Sequence, residues 1–171
     1  ILVSGLKLET LSGLPILGVE QLPLDRLTNR ILKRTVDIIG SVVGLLLSAP
    51  LIAIFGLMVY LESPGTIFYR QTRSGRRGKN FEIIKIRSMR LDAEKATGAK
   101  WAEENDPRRL RIGSFMRSWN IDEVPQFWNV LKGEMSLVGP RPHPLDDVDL
   151  YEDRDLRRLI AKPGMTGLWQ V

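Results

Sequence analysis

Residues 38–61 read IIGSVVGLLLSAPLIAIFGLMVYL, twenty-four positions without a charge. As a straight helix this is about 36 Å at roughly 1.5 Å per residue. The hydrocarbon core of a bilayer, ~30 Å, is crossed by about 20 such residues. The run therefore has the length and composition of a membrane segment; the alternative is a buried core helix, for which it is long in so small a domain. Pro50 sits in its middle, where proline removes a backbone donor and crowds the preceding turn. Both flanks are basic, with Arg26, Arg30, Lys33 and Arg34 before the run and Arg70, Arg73, Arg76, Arg77 and Lys79 after it. Basic flanks stay on the cytoplasmic face. Both ends on one side with a break between them describe a re-entrant helix-break-helix hairpin over 25–61, turning at Ser48-Ala49-Pro50, with Ser48 placed to bond a carbonyl freed by the proline. A single bilayer span is the other arrangement the run allows.

The rest of the chain bounds the class. It has 171 residues, 43% of them apolar and 26% charged, enough for one domain with a real core and too apolar for a disordered polymer. Cysteine is absent and histidine occurs once. Disulfide scaffolds, thiolate zinc sites, cysteine nucleophiles and multi-histidine metal sites are thereby excluded. The net charge of +5 suits an anionic partner: nucleic acid, a phosphate-bearing substrate or an anionic membrane. Positions 62–145 hold 16 Lys/Arg against 10 Asp/Glu, so the basic excess lies next to the apolar run, where an anionic leaflet or a phosphorylated lipid would be met.

Upstream, 1–24 contains an alternating piece, Leu14-Pro15-Ile16-Leu17-Gly18-Val19, and reads either as the tail of a preceding domain with its linker or as an edge strand of the main one. Downstream, 62–171 has a globular pattern. Thr66–Arg70 and Phe81–Ile86 are short strands joined through Gly-rich SGRRGKN, which predicts a β-hairpin. Helices are expected over 88–96, 108–118 and 122–131, the last with acids in its first turn, Pro125 near its start and Lys132-Gly133 at its end. Gly133, Gly139, Pro140, Pro142 and Pro144 make 133–144 a stiff loop, and 146–161 reads as an amphipathic helix stopped by Lys162-Pro163-Gly164. The fold class is α+β, mainly helical: a membrane hairpin, a small β-hairpin and a helical domain at the membrane surface.

Chemistry concentrates in a few places. Asp122 and Glu123 precede a helical run amid Trp119, Ile121, Val124, Phe127 and Trp128. Neighbours on a helix point about 100° apart, so the two cannot share a proton face to face. They can divide labour, one as nucleophile and one on a metal ion, or simply be helix N-terminal acids. Lys85 and Arg87 fall on one face of a strand, as a phosphate contact or as a solvated basic face. The Gly139-Pro140-Arg141-Pro142 turn is stiff and carries one arginine, as bidentate phosphate binding requires, or is a surface turn. Gly75-Arg76-Arg77-Gly78-Lys79 lacks the spacing and the Ser/Thr of a phosphate loop. His143, between prolines and without a partner His or Cys, reads as structural.

Together these stretches resemble a family. Lys33-Arg34-x-x-Asp37, FYRQTRSGRRGKNFEIIKIRSM (68–89), DEVPQFWNVLKGEMSLVGPRP (122–142) and KPGMTGLWQV (162–171) are similar, in that order, to the bacterial sugar transferases, the monotopic phosphoglycosyl transferases. The resemblance covers 32–171, and the stretch at Asp122 is its most specific part. It implies transfer of a sugar 1-phosphate from a UDP-sugar to undecaprenyl phosphate with release of UMP, the first step of exopolysaccharide, capsule, O-antigen or glycoconjugate synthesis, on the cytoplasmic face of the bacterial inner membrane. It implies Asp122 as the covalent nucleophile, Glu123 as a Mg²⁺ ligand, and Lys85, Arg117 and Arg141 near the phosphates. It identifies 1–24 with the end of an accessory domain, 25–61 with the membrane hairpin and 62–171 with a catalytic domain cut short at its C-terminus. Two departures are mild: Ala49 precedes Pro50 where the family often has Ser, and Asn120-Ile121-Asp122-Glu123-Val124-Pro125 replaces Ser-Leu-Asp-Glu-Leu-Pro. A membrane-tethered binding module, or a non-catalytic partner of another transferase, would need neither Asp122-Glu123 nor Lys85 and Arg141 together. No nucleic-acid partner is expected.

Overall fold

The computed structural model describes residues 6–11, 14–19, 27–91, 93, 106–145 and 157–167, with backbone alone before residue 27. The chain divides into two compact units, 1–36 and 37–171. In the first, the alternating piece at 14–19 is a strand: β1 (Leu6–Leu11) pairs antiparallel with β2 (Leu14–Val19), Leu6 opposite Val19 and Leu11 opposite Leu14.

The apolar run lies within one helix, α1 (Leu27–Glu62), with Pro50 inside it. The loop expected at Ser48-Ala49-Pro50 is not there. Proline withdraws a single donor and the rest of the helical ladder continues around it. Nor does Ser48 serve the carbonyl of Leu46, the one Pro50 leaves without its i+4 donor; its hydroxyl donates to Leu45 O at 3.4 Å. What holds the helix is a stripe of small residues on one face. Asp37, Ser41, Ser48, Gly56 and Val59 are buried, and their spacing follows one side of a 3.6-residue helix both before and after Pro50. Gly40 and Gly44 lie on the same side, and side chains at these two positions would run into Leu137 and the Phe127 ring. Small residues let the helix lie close to its neighbours, as at helix contacts in membranes. The other faces, including Ile39, Leu46, Leu47, Ile54, Leu57 and Leu61, are exposed. By length and composition α1 suffices to cross a membrane.

Two carboxylates within the second unit fasten its part of α1 to the rest of that unit. Asp37 Oδ1 accepts hydrogen bonds from Ser136 Oγ and Leu137 N, both at 3.0 Å. Glu62 accepts from Arg111 N at 2.7 Å and Ile112 N at 3.1 Å. These are the orphan donors of α2 (Arg111–Ser118), so Glu62 caps a helix it does not belong to. Just beyond α1, Arg87 donates from both terminal nitrogens to Ser63, at its hydroxyl and its carbonyl.

The β-hairpin forms as expected. β3 (Phe68–Ser74) pairs antiparallel with β4 (Asn80–Ile86), with Tyr69 opposite Lys85, and a 3-10 turn at Arg76–Gly78 closes it. The helix expected from residue 88 does not: 88–90 runs extended beside 108–110, with Leu110 N bonded to Ser88 O and Arg90 N to Arg108 O. Those partners occupy the groups a helix would need, and they also delay the next helix to Arg111. Residues 92 and 94–96 of that expectation lie outside the described residues. The helix expected over 122–131 is two pieces, a 3-10 segment (Ile121–Gln126) followed by α3 (Phe127–Lys132), which ends on Gly133 at φ +89°. The stiff loop after it contains an unexpected strand, β5 (Ser136–Val138), parallel to β6 (Gly164–Thr166). Of the helix expected over 146–161, residues 157–160 are a 3-10 turn and 146–156 lie outside the described residues.

Two apolar clusters flank the 3-10 segment. Val59 of α1, Ile86, Leu110 and Met116 form one, joined by Ile52, Phe55 and Ile121. Ile83, Val130 and Met135 form the other, joined by Leu137 and Met165.

Candidate active site

The 3-10 segment starts from Asn120, which adopts φ +54° and turns the chain sharply out of α2. Asparagine tolerates this left-handed conformation better than most residues. Pro125 stands one residue before Gln126, the N-cap of α3, where no hydrogen bond of that helix needs its missing N–H. The following helix is pinned to β4 by one side chain. Asn129, fully buried, accepts from Ile84 N at 3.2 Å and donates to Glu82 O at 2.6 Å and Glu134 Oε2 at 2.7 Å. This lock sets the segment beside Lys85.

The five residues singled out for chemistry converge. Lys85 Nζ meets Glu123 Oε1 at 2.6 Å, and Arg141 Nη2 approaches the same oxygen at 3.6 Å. Lys85 is largely buried in this pair, not solvated, and its strand neighbour Arg87 is buried against Ser63. Arg117 donates from Nε to Ser88 Oγ at 2.8 Å and interacts electrostatically with Asp122. Asp122 is 6% exposed. Loss of water pushes its carboxyl above the ordinary value, opposed by Lys85 and Arg117 and reinforced by the charge of Glu123. Glu123 loses water too, but Lys85 and Arg141 outweigh that loss and hold it below its ordinary value.

A cleft opens on this cluster. Its walls are Arg73, Lys85, Glu123, Gln126 and Arg141, with Ile83, Gly164 and Met165 beneath. Asp122 is buried beside the cleft instead of on its wall. Among the described residues no three His, Cys, Asp or Glu side chains cluster to cage a metal. Mg²⁺ does not demand such a cage, since it is commonly held by one or two carboxylates with substrate phosphates and water. Glu123, at the cleft wall with both cations on Oε1, suits that mode.

Sequence reasoning passed over Gln126, Asn129 and Ser88. The first two carried a signal: they follow Asp122 by four and seven positions, so polar residues repeat at helical spacing on the face that should be apolar. The Ser48–Pro50 pair takes no part in the cluster.

The site is thus a buried carboxylate with cations about it, on a body that includes a helix long and apolar enough to cross a membrane. The bacterial sugar transferase family matches residues 28–171, and the chain belongs to that family. It is 45% identical over 151 residues to the galactosyl transferase CpsE of Streptococcus agalactiae, covering 82% of this chain and 33% of that protein. It is 41% identical over 168 residues to the UDP-glucose:undecaprenyl-phosphate glucose-1-phosphate transferase of Escherichia coli, covering 96% of this chain and 36% of that one. It is 51% identical over 111 residues to a putative undecaprenyl-phosphate N-acetylgalactosaminyl 1-phosphate transferase of Bacillus subtilis, covering 65% and 62%. The chain thus spans about a third of the first and second of these relatives.

Proposed function

We propose that the protein transfers a sugar 1-phosphate from a UDP-sugar to undecaprenyl phosphate, releasing UMP, at the cytoplasmic face of the bacterial inner membrane. The observation that carries this reading is the pairing of a desolvated Asp122 with Lys85 and Arg117 beside a cationic cleft. Relatives named for this reaction with different sugars support the substrate classes.

In the first half-reaction an Asp122 oxygen attacks the sugar-bearing phosphorus, and the bond from that phosphorus to the bridging oxygen breaks. The bridging oxygen and its electron pair leave with UMP. In the second, a phosphate oxygen of undecaprenyl phosphate attacks the same phosphorus and returns the carboxylate to Asp122. A carboxylate approaching a diphosphate needs cations to offset the repulsion, and Lys85, Arg117 and Arg141 are held there. Splitting the transfer lets one site serve a soluble donor and a lipid acceptor in turn. Mg²⁺, held by Glu123 together with donor oxygens, would supply further charge neutralisation.

The disposition of α1 follows from its two fastenings. Asp37 and Glu62 lie roughly 37 Å apart along a straight helix at about 1.5 Å per residue, yet both bond to the same folded unit. A helix crossing a bilayer puts its ends on opposite sides of ~30 Å of hydrocarbon. Both ends bonded to one folded unit support α1 entering and leaving on one face of the membrane instead of crossing it, with no turn at Pro50.

The test is UMP release from a panel of UDP-sugars in nanodiscs containing undecaprenyl phosphate and Mg²⁺. Release is expected with at least one sugar and is lost, by about 10³-fold or more, in Asp122→Asn. Release that survives in Asp122→Asn would remove the covalent step and leave the transfer.

A further inference from the structure

Arg141 sits in a loop that is poorly equipped to hold itself. Pro140, Pro142 and Pro144 have no N–H, so the stretch 139–144 is short of donors for its own carbonyls. Donors reach it from two sides instead. Gly164 N of β6 donates to Pro140 O at 2.9 Å, and Ser74 N of β3 donates to His143 O at 3.1 Å. A bridge beside the second bond pairs Arg73 with Pro144. Between these two holds, the carbonyl of Pro142, the residue next to Arg141, accepts from Arg73 Nη1 at 3.5 Å. The other end of the same guanidinium, Nη2, donates to Gln71 Oε1 at 2.6 Å. Gln71 and Arg73 alternate along β3 and so share the face of the hairpin on which Tyr69 stands opposite Lys85. A guanidinium is a rigid planar fork, so fixing one prong on Gln71 aims the other at the loop. Arg141 in turn reaches Glu123 from 3.6 Å, close to the outer limit of an ion pair, where a small shift of the loop makes or breaks the contact.

We propose that Gln71 and Arg73 are positioning residues for Arg141: the pair sets the 139–144 loop, and with it the guanidinium that meets the diphosphate of the donor. This rests on the reading that the cleft between Arg73, Lys85, Glu123 and Arg141 receives that diphosphate. Lys85 stands on a strand, whereas Arg141 stands on a loop, so the aim of Arg141 has to be supplied from outside its own segment. Arg73 contributes direction, which a charge of the same sign in another shape does not replace.

The test is a double-mutant cycle, read by calorimetric titration of pyrophosphate into the protein in detergent. Arg73→Lys keeps the charge and loses the fork. Gln71→Met keeps the volume, loses the acceptor, and alters a residue that does not line the cleft. Each is expected to weaken pyrophosphate about five- to tenfold, as the loss of one hydrogen bond does. In the background of Arg141→Ala, which leaves Lys85 in the cleft, each should add less than about twofold, because the side chain they position is gone. Should Arg73→Lys fail to fold, Gln71→Met carries the same cycle. Full affinity in Arg73→Lys overturns the proposal, since charge alone then suffices, and so does full affinity in Gln71→Met. Weakening by Arg73→Lys that persists undiminished beside Arg141→Ala also overturns it and makes Arg73 itself the phosphate contact. No binding of pyrophosphate to the wild type overturns the proposal together with the reading it rests on. Binding that follows the expected cycle, with no UMP released from any UDP-sugar, overturns the transfer reaction and upholds the positioning.

Discussion

Asp122 and Glu123 share a peptide bond and both lose water on folding, yet they shift in opposite directions because the cations sit closer to one of them. Asp122 binds its proton more tightly in the folded protein than in the unfolded chain. Its ionised form therefore detracts from stability above the raised value, and the loss is recovered as pH falls through it. Two outcomes follow. Asp122→Asn should melt higher than the wild type at pH 7 in a thermal scan. The acid limb of single-turnover UMP release should lie above 3.8, the ordinary value for this carboxyl, and move further up in Lys85→Met, because Lys85 opposes the upward shift. Glu123 runs the other way: its ion pair with Lys85 contributes stability above its ordinary value and loses it as pH falls through the lowered one. Asp122, Glu123 and Arg141 stood out because a carboxylate pair and a lone arginine in a stiff turn are uncommon in apolar surroundings, whereas Arg117 was named only through the family resemblance. Their partners were not, since a contact such as Lys85 to Glu123 joins residues from β4 and the 3-10 segment that only the fold brings together.

α2 shows how one element positions another. A side chain on Gly113 would meet the backbone of Ser88, its Cβ falling against the carbonyl oxygen. Backbone cannot yield as a flexible side chain can, so α2 rests directly on the strand that leaves β4. That contact holds Arg117 against Ser88. Gly113→Ala should lower stability by about 1–3 kcal/mol, read as a fall in melting temperature, and UMP release should fall with it. Gly44→Ala faces only the Phe127 ring and should lower it less. Hairpin and helix-terminus signals located β3, β4 and the end of α3 well, because turn glycines and alternation act locally. The helix expected from 88 and the uninterrupted loop expected where β5 stands did not form for the opposite reason, and β6 gave no local signal at all. Their state is decided by partners far along the chain, residues 108–110 for one and the β5–β6 pairing for the other.

At the scale of the molecule, the arrangement of α1 can be read with a chemical label, because the protein has no cysteine. Thr28→Cys and Pro64→Cys, both exposed, bracket the apolar run. With a membrane-impermeant maleimide both should react in inverted vesicles and neither in intact spheroplasts; opposite reactivity of the two would make α1 a span. The apolar run announced a membrane element from composition alone, whereas its continuity through Pro50 did not, since one lost donor is a local deficit that packing on both sides can carry. Just after β5, Gly139 meets Gly164 of β6 backbone to backbone, and Gly164 lines the cleft, which bears on how the protein is made. Synthesis runs from the N-terminus. The apolar helix α1 leaves the ribosome before the strand β6 that lines the cleft. A nascent chain therefore exposes its long apolar helix before it owns a complete cleft.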